Sequence, residues 1–121
     1  QVCGEEHYLK AAVVAADFIL ENMVSDGQLL HTYKDGQARI AAFQDDCACL
    51  INGLLDLYEA SFELRFFLAA EHWTEAMIER FGDAEDGGFF CAEAEAKDLI
   101  VRSKSPFDNA TPSGNSIGAL V

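Results

Sequence analysis

Three aspartates stand where acid–base chemistry would need them. Asp45 and Asp46 lie side by side in Phe43-Gln44-Asp45-Asp46, and Asp108 sits in Phe107-Asp108-Asn109. A carboxyl pair acting as acid and base on a sugar needs separated pKa values and a gap of about 5–10 Å, depending on mechanism. Adjacent residues do not easily meet that geometry, so the better pair is Asp45 or Asp46 with Asp108. The plainer role is structural, because Asp at a helix start satisfies orphan N–H groups and suits the macrodipole. Phe43 and Phe107, each just ahead of an aspartate, either offer a platform for a sugar ring or anchor their loops on the core. Ser113 and Asn115, in Thr111-Pro112-Ser113-Gly114-Asn115, can hydrogen-bond a polyol or hold the first turn of a following helix.

The remaining polar residues narrow the chemistry. His31 falls on an apolar-containing run beside the Asp45–Asp46 loop and is the one histidine placed near the candidate site. His7, His31 and His72 lack partners at metal-ligand spacing, so no metal is expected. Arg39 and Arg102 pair with surface acids or meet an anionic sugar. There is no Gly-rich phosphate loop and no nucleophile elbow, and no cofactor is expected. Cys47 and Cys49, two apart on a helix, project about 200° from each other and cannot share a metal or a disulfide. With Cys3 and Cys91 they read as buried or half-buried thiols of a reducing compartment.

Charge excludes whole classes of partner. Eight basic residues against 21 acidic ones give a net charge of −13 over 121 residues. Phosphate backbones and anionic bilayers both require the opposite sign, so neither nucleic acid nor membrane is expected. No apolar run is long enough to span a bilayer. With no charged-then-apolar leader at the N-terminus, the expected location is cytoplasmic.

The elements that must position these residues recur. Asp26-Gly27 leads through Leu29, Leu30 and Tyr33 to Phe43 and Asp45, and Asp86-Gly87-Gly88 leads through Phe89, Phe90 and Leu99-Ile100-Val101 to Phe107 and Asp108. Gly27 to Gly88 is a step of 61 residues and Asp45 to Asp108 one of 63. Leu9, Ala12, Val13, Ala16, Ile19, Leu20 and Met23 draw one apolar stripe on a helix from near Glu5 to Met23. Ser25-Asp26-Gly27 supplies its stop. Lys34-Asp35-Gly36 between Leu29–Tyr33 and Gln37–Ile40 predicts a hairpin. A second helix from Asp45 or Asp46 to about Ala60 is apolar around most of its circumference, with Gly53 allowing a neighbour close. A third, roughly Glu63 to Phe81, is again amphipathic. Gly88-Phe89-Phe90 and Leu99-Ile100-Val101 read as a second hairpin, and Ser116–Val121 as the start of another apolar helix.

Amphipathic helix, hairpin, buried helix, twice over, is the order that two concentric rings of helices require. The expected fold is therefore all-α: helical hairpins forming part of an (α/α)6 toroid, with two small β-hairpin inserts. One partial domain covers residues 1–121, with repeats of about 5–60 and 63–121. A closed ring needs several times this length. The chain then reads as a fragment, or as a short protein completing its core with a second copy or with a missing part of the toroid.

The strings Phe43-Gln44-Asp45-Asp46-Cys47-Ala48 and Pro106-Phe107-Asp108-Asn109-Ala110-Thr111-Pro112-Ser113-Gly114-Asn115-Ser116 resemble the C-terminal region of YyaL-type thioredoxin-domain-containing proteins. Leu55-Asp56-Leu57-Tyr58-Glu59-Ala60 and Leu99-Ile100-Val101-Arg102 fit the same group. The resemblance runs from about Ala11 to the end. It implies a toroid similar to the six-hairpin glycosidase and N-acylglucosamine 2-epimerase folds, following a thioredoxin-like domain that this chain does not contain. An aromatic residue common after the paired aspartates is here Cys47. The expected function is that of a fragment of a glycosidase-like or sugar-epimerase-like protein, not catalytic alone. Its candidate ligand is a carbohydrate bound by the loops before Asp45 and Asp108. The alternative is a non-catalytic helical module that binds itself or another chain.

Overall fold

The computed structural model describes residues 6–93, 102–105 and 107–121. Helix α1 (Glu6–Asn22) follows the apolar stripe, and its end passes directly into strand β1 (Val24–Ser25). Strands β2 (Gln28–Lys34) and β3 (Gln37–Ala41) follow, then helices α2 (Gln44–Ser61), α3 (Leu64–Phe81) and α4 (Gly114–Gly118). The three strands form one antiparallel sheet in the order β1-β2-β3. Asp35 and Gly36 turn β2 into β3 with φ of 53° and 77°, the paired positive values that a tight hairpin twist demands. Lys34 consequently faces Gln37 and Thr32 faces Arg39.

Asp26 and Gly27, also at positive φ (52° and 73°), make a second turn of the same kind. They reverse the chain between β1 and β2, pairing Val24 with Leu29. The helix stop expected at Ser25-Asp26-Gly27 is thus a strand and a hairpin turn.

Helix α2 is the hub. It packs against α3 along its length, against α4 near its own N-terminus, and against α1. Phe66, Phe81, Ile51, Leu54 and Met77 are completely enclosed between α2 and α3, with Trp73 beside them. At about 25 cal/mol per Å², burial of such side chains contributes roughly 1.5–3 kcal/mol each before entropy is counted. From the sheet, Leu29 reaches this core, and Ala42 joins it from the β3–α2 link.

The all-α toroid segment is not what the chain forms. The described residues make an α+β arrangement of four helices and a three-stranded antiparallel sheet. Two physical features account for the difference. The strands are not a detached insert, since Leu29 and Val24 pack into the helical core. Nor is α2 enclosed all round: Asn52, Gly53, Asp56 and Glu59 face solvent, and its buried residues keep to one face. In the second copy, Phe89 forms a bridge with Gly82, and Cys91 N–H donates to Ser103 O. The other expected strand, Leu99-Ile100-Val101, lies outside the described residues.

One residue on α4 tests how closely these parts fit. A Cβ on Gly114 would overlap Gln44 Oε1 and come within 2.9 Å of the Asp45 Cα, whereas a Cβ on Gly53 meets nothing within 4 Å. Gly114→Ala is expected to destabilise the fold by about 1–3 kcal/mol through overpacking. Gly53→Ala should instead stabilise it by up to about 1 kcal/mol through helix propensity. Urea unfolding followed by circular dichroism reads both signs.

Candidate functional site

The two aspartate-bearing loops meet. Helix α2 begins at Phe43, its N-cap, so Asp45 and Asp46 occupy the first turn. Ser113 caps α4, its Oγ accepting from Ser116 N–H at 3.1 Å. Between the two helix starts lies the side chain of Gln44, 2% exposed, whose Nε2 donates to Gly114 O at 2.8 Å and contacts Met77 Sδ at 3.7 Å. That bond holds the two loops together. Beside it opens a cleft of about 310 Å³ lined by Phe43, Asp45, Phe107, Asn109, Thr111 and Ser113 among others.

Within this cleft the sequence candidates divide by duty. Phe43 is 40% exposed and Phe107 78% exposed, so both present ring surface to solvent instead of anchoring in the core. Asp45 is exposed, and its Oδ1 accepts only the neighbouring Asp46 N–H at 3.1 Å. It is the one carboxylate among the described residues lining the cleft. Asp108 is not among the lining residues: its Oδ1 accepts from Ser113 N–H at 2.8 Å and from Ser116 Oγ at 2.6 Å. Those donors favour the charged form and hold its pKa below the ordinary carboxylate value. Asn115 spends its amide on Phe89, donating to its carbonyl at 2.9 Å and accepting its N–H at 2.7 Å.

His31, Asp46 and Arg39 lie elsewhere. Asp46 Oδ2 accepts from Phe43 N–H at 2.9 Å, the return half of a capping box, and is 2.7 Å from His31 Nδ1. The His31 ring also meets Phe43 edge-on, with centroids 5.2 Å apart. This pair pins the start of α2 to β2. Its other side borders an apolar groove of about 420 Å³ between α1, α2 and β2, a different depression from the cleft. Arg39 on β3 donates to Gln37 Oε1 at 2.7 Å and lines neither. Arg102 donates to Ala92 O and Arg80 O and stacks over Phe90, with its guanidinium 4.0 Å from the ring centroid.

The thiols separate as helix geometry requires. Cys47 is buried and Cys49 exposed. Burial, assisted by Asp46, pushes the Cys47 thiol up to about 12, and the same causes raise Cys49. Thiolate chemistry is disfavoured at both.

Sequence reasoning missed Gln44. The signal was present: Gln44, Cys47, Ala48 and Ile51 follow the helical spacing of a buried face, which places a glutamine inside. The pairing of His31 with Asp46, 15 residues on, carried no local signal.

Comparison with known proteins finds sequences similar to this one. The chain is similar to a segment of spermatogenesis-associated protein 20. It is 34% identical to the Homo sapiens protein and 36% identical to that of Rattus norvegicus, over 98% of this chain in both cases. An uncharacterized protein of Caenorhabditis elegans is 29% identical over 98% of the chain. The chain spans 16% of the length of the two mammalian relatives and 17% of the nematode one. No family model matches it.

The hydrogen bonds to Asp108 predict a pH dependence. Its folded pKa is lowered, so its stabilising effect is complete above the unfolded carboxylate value and is lost as pH falls through the folded one. Asp83 behaves alike, over a window from 3.8 to about 2, because Lys104 and the Glu85 and Asp86 N–H groups hold it charged. Hydrogen-exchange protection at Ser113, Glu85 and Asp86 is expected to fall on acidification. Asp108→Ala should remove the acid-dependent part at Ser113 and leave it at Glu85.

Proposed function

We propose that this chain belongs with the YyaL-type thioredoxin-domain-containing proteins and that its cleft binds a sugar or polyol without catalysing a reaction alone. One observation carries the reading: both motif strings, 63 residues apart at their aspartates, line a single cleft of about 310 Å³. That size falls within the range of small-molecule sites. The exposed faces of Phe43 and Phe107 suit the C–H face of a pyranose. Asp45, Asn109 and Thr111 line the same cleft and supply acceptors and donors for hydroxyl groups.

Binding is favoured over hydrolysis by the state of the carboxylates. Glycoside chemistry needs an acid kept protonated beside a second, ionised carboxyl. Asp45 lines the cleft, whereas Asp108 is not among its lining residues and its pKa is lowered by the bonds from Ser113 and Ser116. Asp46 is committed to the Phe43 N–H and His31. Among the described residues one carboxyl, that of Asp45, lines the cleft, an arrangement that orients a ligand without pairing two carboxyls across it.

Titration calorimetry against glucose, mannose, N-acetylglucosamine and inositol tests this. At least one ligand is expected to bind, with affinity falling about tenfold or more in Asp45→Asn and in Phe107→Ala, each step of ten being 1.4 kcal/mol. Both side chains are exposed, so the fold should survive either change. Equal affinity in wild type and both variants would remove the cleft from the site, and no binding across the panel would end the proposal.

A further inference from the structure

The groove between α1, α2 and β2 has a construction unlike that of the cleft. Its walls set small side chains, Ala12 and Ala15 from α1 and Cys49 and Gly53 from α2, among larger apolar ones such as Ile19 and Leu50. Leu29 and Leu30 of β2 also line it. Helices α1 and α2 touch far less closely than α2 and α3, so the trough runs open between them. At one end stand His31 and Asp46. Asp46 uses Oδ2 for both of its bonds, leaving Oδ1 for a further donor.

We propose that this groove receives an amphipathic helix of a basic polypeptide, with its apolar face in the trough and a Lys or Arg meeting Asp46. The volume of about 420 Å³ and the apolar walls match the helix-in-groove mode, in which side chains at i, i+3, i+4 and i+7 enter a hydrophobic channel. Small wall residues let the guest backbone come close, and an added Cβ at Gly53 would point into open space. Charge selects the guest. Among the described residues of the lining Asp46 is the one acidic side chain, and the chain as a whole carries −13. A basic helix is attracted by that field over a Debye length of about 8 Å or more, whereas a second copy at −13 is repelled. This inference does not depend on the sugar-binding reading, which concerns the other depression.

Fluorescence anisotropy with a labelled Leu/Ala/Lys amphipathic peptide of about 18 residues, five helical turns, tests it. Binding is expected, and Gly53→Leu, which fills the trough, should weaken it about tenfold or more. Ala12→Leu should act in the same direction, whereas Leu68→Ala on the exposed side of α3 should leave affinity unchanged. A peptide with Gln in place of Leu, and another with Glu in place of Lys, should each bind at least about tenfold more weakly. The proposal is overturned if the peptide does not bind. It is also overturned if Gly53→Leu, with an unchanged circular dichroism spectrum, binds like wild type, or if the Gln peptide binds as well as the Leu peptide. Sedimentation of the protein alone supplies the last arm: a dimer that Gly53→Leu converts to monomer would assign the groove to a second copy.

Discussion

The buried amide of Gln44 is the constraint on which the arrangement rests. It lies in the first turn of α2, enclosed by Met77 of α3 and by the backbone of α4 at Gly114. An amide buried without a partner would cost roughly 1–3 kcal/mol, so its bond to the Gly114 carbonyl is close to obligatory. The bond also dictates its partner. Only a residue without a Cβ lets the α4 backbone approach Gln44 and Asp45 this nearly, and Gly118 one turn on lies almost as close to the same amide and to the Phe89 ring. The apolar contacts between α2 and α3 supply most of the favourable burial. The Gln44 bond specifies how α4 and its loop sit on them.

From that lock follows a division of labour among chemically identical side chains. Asp46 reaches back to the Phe43 N–H and across to His31, tying helix to sheet. Asp108 gathers Ser113 and Ser116 and shapes the loop into α4. Asp83, near the end of α3, organises the turn through Glu85, Asp86 and Lys104. Asp45 alone among the three candidate aspartates keeps its carboxylate toward the cleft. Three carboxylates of this strongly acidic chain thus serve capping and turn formation, where a carboxylate accepting N–H groups is worth more than one in water. Two depressions of different character remain, one polar and aromatic beside Asp45, the other apolar with Asp46 at one end.

Much of the local structure was legible from residue types. The stripe through Leu9, Ala16 and Ile19 marked α1, and the Asp35-Gly36 pair marked the hairpin turn, because both turn positions demand positive φ. The passage of Phe43-Gln44-Asp45-Asp46 into a helix was equally plain. Reading went astray where one pattern serves two arrangements. An apolar-rich α2 fits an inner toroid helix and also fits the hub of an α+β unit. The choice rests on contacts with Leu29, Phe66 and α4 that no periodicity records. Ile40 makes the same point at smaller scale: a β-branched residue on a strand adopts φ of 64°, a conformation that its side chain disfavours.

Helix spans, turn chemistry and the buried face of α2 are encoded within windows of a few residues, since backbone preference and side-chain spacing act over that range. Which aspartate faces a cleft, which glutamine is buried, and whether helices close into rings or pack on a sheet depend on partners far along the chain. Gln44 and Gly114 are 70 residues apart, and Gln28 and Glu93 are 65. Their pairing is decided by steric fit and by the cost of leaving buried polar atoms unbonded, and both exist only once the chain has folded back on itself.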